Sequence, residues 1–299
     1  MKYTSRQADK AIAWQKEVRS KLFQTLKMDD LISRKKPIPF DAKVISSQKK
    51  PYLFQEIEIN STPGRLIKIL LTMPTDRKGL LPAVVCIHGH GGSRHSVYDF
   101  ESVHYVGFAA VLAEKGYITI STDVGQHEVY EEGRLLMGER LWDLMRCADY
   151  LASLDEVDQS RIGCAGLSLG GEMAMWLGAM DERIQATVSS GFLTKMDQME
   201  QNHCMCWKFP GLRELVDFAD IYSLTAPRAL LCQNGLQEDP TQFPVPLARE
   251  ALKEIEVIYA DMNRPENVAL VAHDGGHVIH LPSLLTFFEK HLGQTSGDR

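Results

Sequence analysis

The apolar positions of the chain change their period near residue 82, and the change separates two kinds of segment. Before it, residues 1–51 read as helical and polar, closing on the basic, proline-containing run 34–39. Residues 53–59 then alternate roughly between apolar and polar, 61–64 make a turn, and 65–73 form a second apolar strand, together a hairpin signal. From Pro82 onward the rhythm is strand, loop, helix, repeated. Short apolar runs at 83–87, 117–122, 162–166, 184–189, 229–232 and 268–272 have the length of strands buried on both faces. Helical segments lie between or after them at 106–114, 134–154, 169–180, 246–262 and 283–292. This alternation predicts an α/β protein with a mostly parallel sheet and helices on both faces. The interval 192–224 breaks the rhythm with Met, Trp, His and Cys, and its place near the strand carboxyl ends predicts a small cap. The expected organisation is a helical extension over 1–51 and one domain over 52–299 with a cap-like insertion around 192–224.

Composition narrows the function classes. The chain has 299 residues, a hydrophobic fraction of 44% and a net charge of −6 with no Lys/Arg-rich block. A nucleic-acid partner is therefore not expected. The first residues, MKYTSRQADKAIAWQKEVRSKLF, lack the apolar core of a secretory leader, and no apolar run is long enough to span a bilayer. The expectation is a cytoplasmic protein with no membrane partner. The six cysteines are too scattered for a disulfide framework. Cys86, Cys164 and Cys232 lie in strand-like runs, where thiols act as small buried hydrophobes.

The chemistry is concentrated at strand ends. Gly166-Leu167-Ser168-Leu169-Gly170-Gly171 follows a predicted strand and opens a predicted helix, the context in which G-x-S-x-G lifts a serine hydroxyl clear of a sheet. The helix beginning at Leu169 sets a positive dipole end beneath Ser168. A serine needs a base. His277, in His273-Asp274-Gly275-Gly276-His277 after the last strand, occupies the third position of the order Ser, acid, His. His273 and His280 compete with it, the first closer to the strand and the second opening the final helix. The acid belongs in Gln233–Pro240, after the penultimate strand, where Glu238 and Asp239 stand side by side. Asp239 is preferred, because Asp-Pro favours a turn that would aim the shorter side chain inward; Glu238 is the alternative, and Asp123 and Asp274 are weaker candidates. His88-Gly89-His90-Gly91-Gly92 ends the 83–87 strand without the Lys-Ser/Thr of a phosphate loop or the spacing of a dinucleotide fingerprint. It reads as an oxyanion loop, acting with the Leu169 N–H. His203-Cys204-Met205-Cys206 has ligand-type residues, but no second ligand pair at compatible spacing appears in the sequence. Packing within the cap is the reading adopted, with no metal and no organic cofactor expected.

With these residues in hand, the sequence resembles a known family. HGHGG, GLSLGG and DGGH occur in order with the expected strand context. Between them lie HCMC, FPGL (209–212) and TAPRALL (225–231). Together they look like the acetyl xylan esterase and dienelactone-hydrolase-like branch of the α/β-hydrolases, over roughly Tyr52 to Leu292. The resemblance implies an eight-stranded, mostly parallel sheet carrying Ser168, an acid after strand seven, and His277. It also implies that the third residue of the His-Gly-x loop, here His90, donates its backbone N–H to the oxyanion. Dienelactone hydrolases proper use a cysteine where Ser168 stands, so their substrate does not carry over. The acid loop, GLQEDPTQFP, looks longer than the family's usual form.

The expected reaction is hydrolysis of a small-molecule carboxylic ester through an acyl-enzyme on Ser168. A peptidase or thioesterase with the same triad, and a non-catalytic binding protein on the same scaffold, are the competing readings. A short-acyl preference on a polar, carbohydrate-like alcohol is expected, partly as what the resemblance implies and partly from the cap. There Met196, Met199, Met205, Trp207 and Phe209 would wall a small pocket, while Gln198, Gln201, Asn202 and His203 offer polar contacts. The plainer reading of those apolar residues is that they pack the cap onto the body.

Overall fold

The structure is a computed structural model that describes residues 1–49, 51–76, 79–201 and 203–293. Asn202, expected among the polar residues of the cap, lies outside the described residues. Among the described residues the sheet has nine strands: β1 Lys43–Gln48, β2 Leu53–Thr62, β3 Arg65–Met73, β4 Leu81–Ile87, β5 Ile118–Thr122, β6 Val157–Leu167, β7 Ile184–Ser190, β8 Ala229–Gly235 and β9 Val268–His273. Their spatial order is β1-β2-β3-β5-β4-β6-β7-β8-β9. The first three run antiparallel and β3 meets β5 antiparallel. From β5 through β9 every pairing is parallel. This is the α/β-hydrolase fold, and it puts the loops that follow β5, β4, β6, β7, β8 and β9 side by side along one edge.

The parallel strands alternate their side chains between two cores. Ala83, Val85 and Ile87 of β4 enter the larger one, together with the helices Leu136–Ala152, Leu169–Met180 and Val245–Asp261. Val84 and Cys86 enter the other, beneath the helices Phe108–Glu114 and Leu281–Leu292. Because both faces are covered, β4 and β8 are buried along their whole length, which is why they read as continuous apolar runs.

The expectation of eight strands is corrected to nine. The additional strand, β1, lies inside the segment read as helical, and all its residues are exposed. Its sequence, KVISSQ, has no buried face to betray it. Backbone pairing with β2 holds it at the sheet edge, and its lysine and polar residues suit an edge. The rest of the extension is part of the body. Ala11, Trp14, Val18 and Leu22 on the helix Ala8–Thr25 are buried in the larger core. From that helix Gln15 Nε2 donates to the carbonyls of Ser223 and Ala226, at 2.9 and 2.7 Å.

The cap folds as short helices at Met196–Met199, Leu212–Leu215 and Phe218–Ser223, with a single 3-10 turn at Met205–Trp207. The helix Phe218–Ser223 starts at a capping box, in which Asp217 and Asp220 each accept a backbone N–H. Trp207 packs on Phe218 at 5.4 Å between ring centroids, and Phe192 meets the same ring at 5.0 Å. No helix among the described residues is long and apolar enough to cross a membrane.

Candidate active site

Ser168 sits between β6 and the helix Leu169–Met180 at φ 61° and ψ −123°. A residue with a Cβ adopts this region only under strain, on the order of 1–3 kcal/mol, when its surroundings over-determine it. Here they do. The Ser168 N–H donates to the Ser190 carbonyl at 2.9 Å, and its own carbonyl accepts from the Glu172 N–H at 2.9 Å. Beneath the turn a Cβ on Gly170 would lie 2.3 Å from the Ile87 carbonyl oxygen, so only glycine lets the helix start so close to β4. The local sequence therefore dictates the sharp turn, and the turn presents the hydroxyl at the strand end.

The loops after β8 and β9 are laced together. The Leu236 N–H donates to the His273 carbonyl at 2.8 Å and the Gln237 N–H to the Gly275 carbonyl at 3.0 Å. This lacing lays Glu238 against His277, and Nδ1 of the imidazole donates to Oε1 at 2.9 Å, with Oε2 at 3.2 Å. The Glu238 side chain is only 2% exposed, so the pair is shielded from water on the carboxylate side. Phe243 stacks on the His277 ring at 5.5 Å, with 15° between the planes. On another side lies Gly191, one residue beyond the carbonyl that Ser168 bonds. At φ +58° it is left-handed, and a Cβ there would sit 2.8 Å from His277 Cε1. The chain at the end of β7 thus touches both residues, bonding Ser168 through Ser190 and meeting His277 at Gly191.

The structure pairs His277 with Glu238, the alternative acid, and not with the expected Asp239. The Asp-Pro turn does form, but it consumes the aspartate. Asp239 Oδ1 accepts from the Thr241 N–H at 2.8 Å and from Thr241 Oγ1 at 2.7 Å. Those two bonds hold its carboxyl below the usual range, out in solvent. The other histidines in this region are occupied elsewhere. His273 Nδ1 accepts from the Gly275 N–H at 3.2 Å, and His280 Nδ1 bonds Ser283 Oγ at 2.7 Å. Asp123 accepts from the Arg94 backbone N–H and is ion-paired to the Arg94 guanidinium.

The loop after β4 is organised by buried side chains. His88, fully buried, donates from Nδ1 to the Gly89 carbonyl at 2.8 Å and accepts the Val124 N–H at Nε2, 3.0 Å away. The Gly89 N–H donates to Tyr105 Oη at 2.7 Å. His90 and Leu169, the two expected oxyanion donors, line the same cavity as Ser168. That cavity has a volume of ≈ 240 Å³, and Phe192, Met199, Trp207 and Phe243 supply its apolar wall. His203 and Gln242 add polar groups to it. Of the residues expected to wall it, Met199 and Trp207 do so, Met196 and Phe209 are buried in the body, and Met205 is exposed.

Two features escaped the sequence. The first is a buried carboxyl, Glu172, in the lining of the cavity. Burial pushes the Glu172 carboxyl up to about 8, with the positive charge of Arg140 pulling the other way. The second corrects the reading of the cap cysteines. Two further ligand-type residues from the body, His90 and His127, lie against Cys204 and Cys206. One ligand atom from each of the four lies within 4.8 Å of the others. His90 Nε2 is 3.2 Å from Cys206 Sγ, His127 Nε2 is 3.3 Å from Cys204 Sγ, and the two imidazoles stack at 5.4 Å. His203, the remaining member of the motif, points elsewhere, its ring tilted against Phe243 at 5.1 Å. The Cys-x-Cys spacing was the only local sign of this cluster, because His127 follows β5, 77 positions away.

Comparison with known proteins adds to this geometry. The sequence model of the acetyl xylan esterase (AXE1) family matches residues 46–201. YtaP of Bacillus subtilis (strain 168), which is named as a candidate hydrolase, is 28% identical over 228 residues, covering 68% of this chain and 75% of YtaP. An acetyl xylan esterase from Paenibacillus sp. R4 superposes with a TM-score of 0.63 at 20% identity, covering 97% of both chains. A glucuronoyl esterase from Solibacter usitatus superposes with a TM-score of 0.69 at 16% identity, covering 92% of this chain and 91% of its own. Structural likeness at identities this low speaks for the fold.

Proposed function

The chain belongs to the acetyl xylan esterase (AXE1) family and is a carboxylic ester hydrolase; on that premise we propose that it is a serine esterase removing short acyl groups, acetate first, from a polar, carbohydrate-like alcohol. Its triad in this reading is Ser168, His277 and Glu238. The family match ends at residue 201, before the last two, so their assignment rests on one observation, the His277–Glu238 hydrogen bond at 2.9 Å between the loops after β8 and β9.

The chemistry follows from that bond. With Nδ1 donating to Glu238, the lone pair of His277 is on Nε2, the nitrogen that takes the Ser168 proton. The serine oxygen attacks the ester carbonyl, and the N–H groups of His90 and Leu169 stabilise the oxyanion. Protonated His277 gives its proton to the departing alcohol. Water, deprotonated by the same imidazole, then adds to the acyl-enzyme and releases the acid and the serine. Glu238 holds the ring in one tautomer and stabilises the imidazolium without itself taking the proton.

Short acyl groups are favoured by the cavity volume of ≈ 240 Å³ and its wall of Phe192, Met199 and Trp207. Ligand sites for larger molecules run to roughly 300–1,000 Å³. On the far side of the oxyanion loop, Gly91 and Gly92 border a wider groove of ≈ 720 Å³ that also carries Arg65, Lys68, Tyr130 and Glu131. Its hydrogen-bonding groups suit a polyhydroxylated alcohol. Specificity constants on acetyl, butyryl and octanoyl esters of one alcohol test the reading. A graded fall is expected, because each added methylene alters binding by about 1 kcal/mol. A maximum at octanoyl would overturn the small-acyl assignment.

A further inference from the structure

We propose that His90, His127, Cys204 and Cys206 form a four-coordinate zinc site that pins the cap to the body beside the acyl cavity. Two thiolates and two imidazoles are the donor set of closed, structural zinc sites, whereas magnesium and calcium seek oxygen ligands. The distances fit. With Zn–S at about 2.3 Å and Zn–N at about 2.0 Å, tetrahedral ligand atoms stand roughly 3.3–3.8 Å from one another. The four here lie within 4.8 Å of one another, and the two cross-pairs, at 3.2 and 3.3 Å, are within a few tenths of that spacing.

An outer shell is also present. Arg140, fully buried, donates from Nη1 to Cys206 Sγ at 3.4 Å and from Nη2 to the carbonyl of Gln126, the residue before His127. A guanidinium in that position favours a thiolate and steadies the loop that carries the imidazole. His90, His127 and Cys204 are exposed, which gives an ion a path in. All four positions around the metal would be filled by protein, so the ion contributes structure and offers no open position to substrate. Its ligands come from the loop after β4, the loop after β5 and the cap. Those segments are separated by 116 residues between His90 and Cys206 and by 77 between His127 and Cys204. A clip between segments so far apart closes long loops, where a cross-link restricts the unfolded chain most. It would also fix the ring of His90, whose N–H faces the oxyanion in the reaction proposed above. The site itself does not depend on that reaction, and its test reads metal and not turnover.

The test uses the full chain, purified after growth with added zinc and dialysed, with metal measured by mass spectrometry. About one zinc per chain is expected in the wild type, and near none in Cys204→Ser or His127→Ala. Because misfolding would also cost either variant its metal, cobalt substitution of the chelator-stripped wild type supplies the second readout. Tetrahedral d–d bands with sulfur-to-cobalt charge transfer are expected, lost in Cys204→Ser and kept in Cys147→Ser, which alters a buried cysteine away from the cluster. Wild-type protein that takes up no zinc, a cobalt spectrum without thiolate bands, or free thiol counts showing Cys204 and Cys206 joined as a disulfide would each overturn the proposal.

Discussion

The two walls of the cavity at Ser168 are built in opposite ways. On one side, Ser168 stands within six consecutive residues whose glycines enforce the turn, so the chemistry and the backbone it requires are written together. On the other, His90, His127, Cys204 and Cys206 meet because three loops converge. The convergence is a consequence of strand order. β5 and β4 pair in parallel, so the loops bearing His127 and His90 leave the sheet as neighbours. β6 lies on the other side of β4, which brings Ser168 to the same edge. A motif that shapes its own backbone can be found along the chain; one assembled by topology is visible only after folding.

The contrast is sharpened first by removing the locally encoded groups. Ser168→Ala and His277→Ala are each expected to lower kcat for a nitrophenyl acetate by roughly 10⁵–10⁶-fold with the fold intact, since triad members act as a unit. Circular dichroism and kinetics on the same samples check both halves of that statement. Next in size is the acid. Glu238→Gln should cost about 10²–10⁴-fold in kcat by releasing the His277 tautomer, while Asp239→Asn stays within about twofold. A reversal of that ranking would return the role to Asp239 and break the pairing seen here.

That second comparison marks how far the sequence was legible. The buried strands were readable because both of their faces are apolar, as in β4 and β8. β1 was not, because an exposed edge strand is held by backbone pairing and leaves no hydrophobic period. Ser168, His277 and Leu169 were identified as candidates by position after strands, and His90 by the family resemblance. Choosing between Glu238 and Asp239 required knowing which way two adjacent side chains point. That is decided by the lacing of the β8 and β9 loops and by the bonds from Thr241 that occupy Asp239. His127 and Arg140 gave no local signal at all.

The topologically assembled wall is expected to show smaller and different effects. Removal of zinc by a chelator should lower Tm on the order of 10 °C, because an ion held at a thousandfold excess over its Kd adds about 4 kcal/mol to folding stability. Differential scanning calorimetry with and without zinc measures this, and an unchanged Tm would mean that the cluster bears no structural load. The smallest change concerns the cavity alone. Met199→Ala, which trims its apolar wall, should raise the butyryl-to-acetyl ratio of kcat/KM by roughly tenfold. A ratio that does not move would detach Met199 from acyl selection.

The central claim, that Ser168 is a nucleophile activated by a Glu238-held His277, is tested most directly by covalent capture. The wild-type chain is treated with a fluorophosphonate, and the adduct is located by peptide mass spectrometry, with Glu238→Gln and Asp239→Asn run in parallel. One adduct is predicted, on Ser168, forming at the wild-type rate in Asp239→Asn and far more slowly in Glu238→Gln. An adduct on another residue, or equal labelling rates in the wild type and Glu238→Gln, would contradict it.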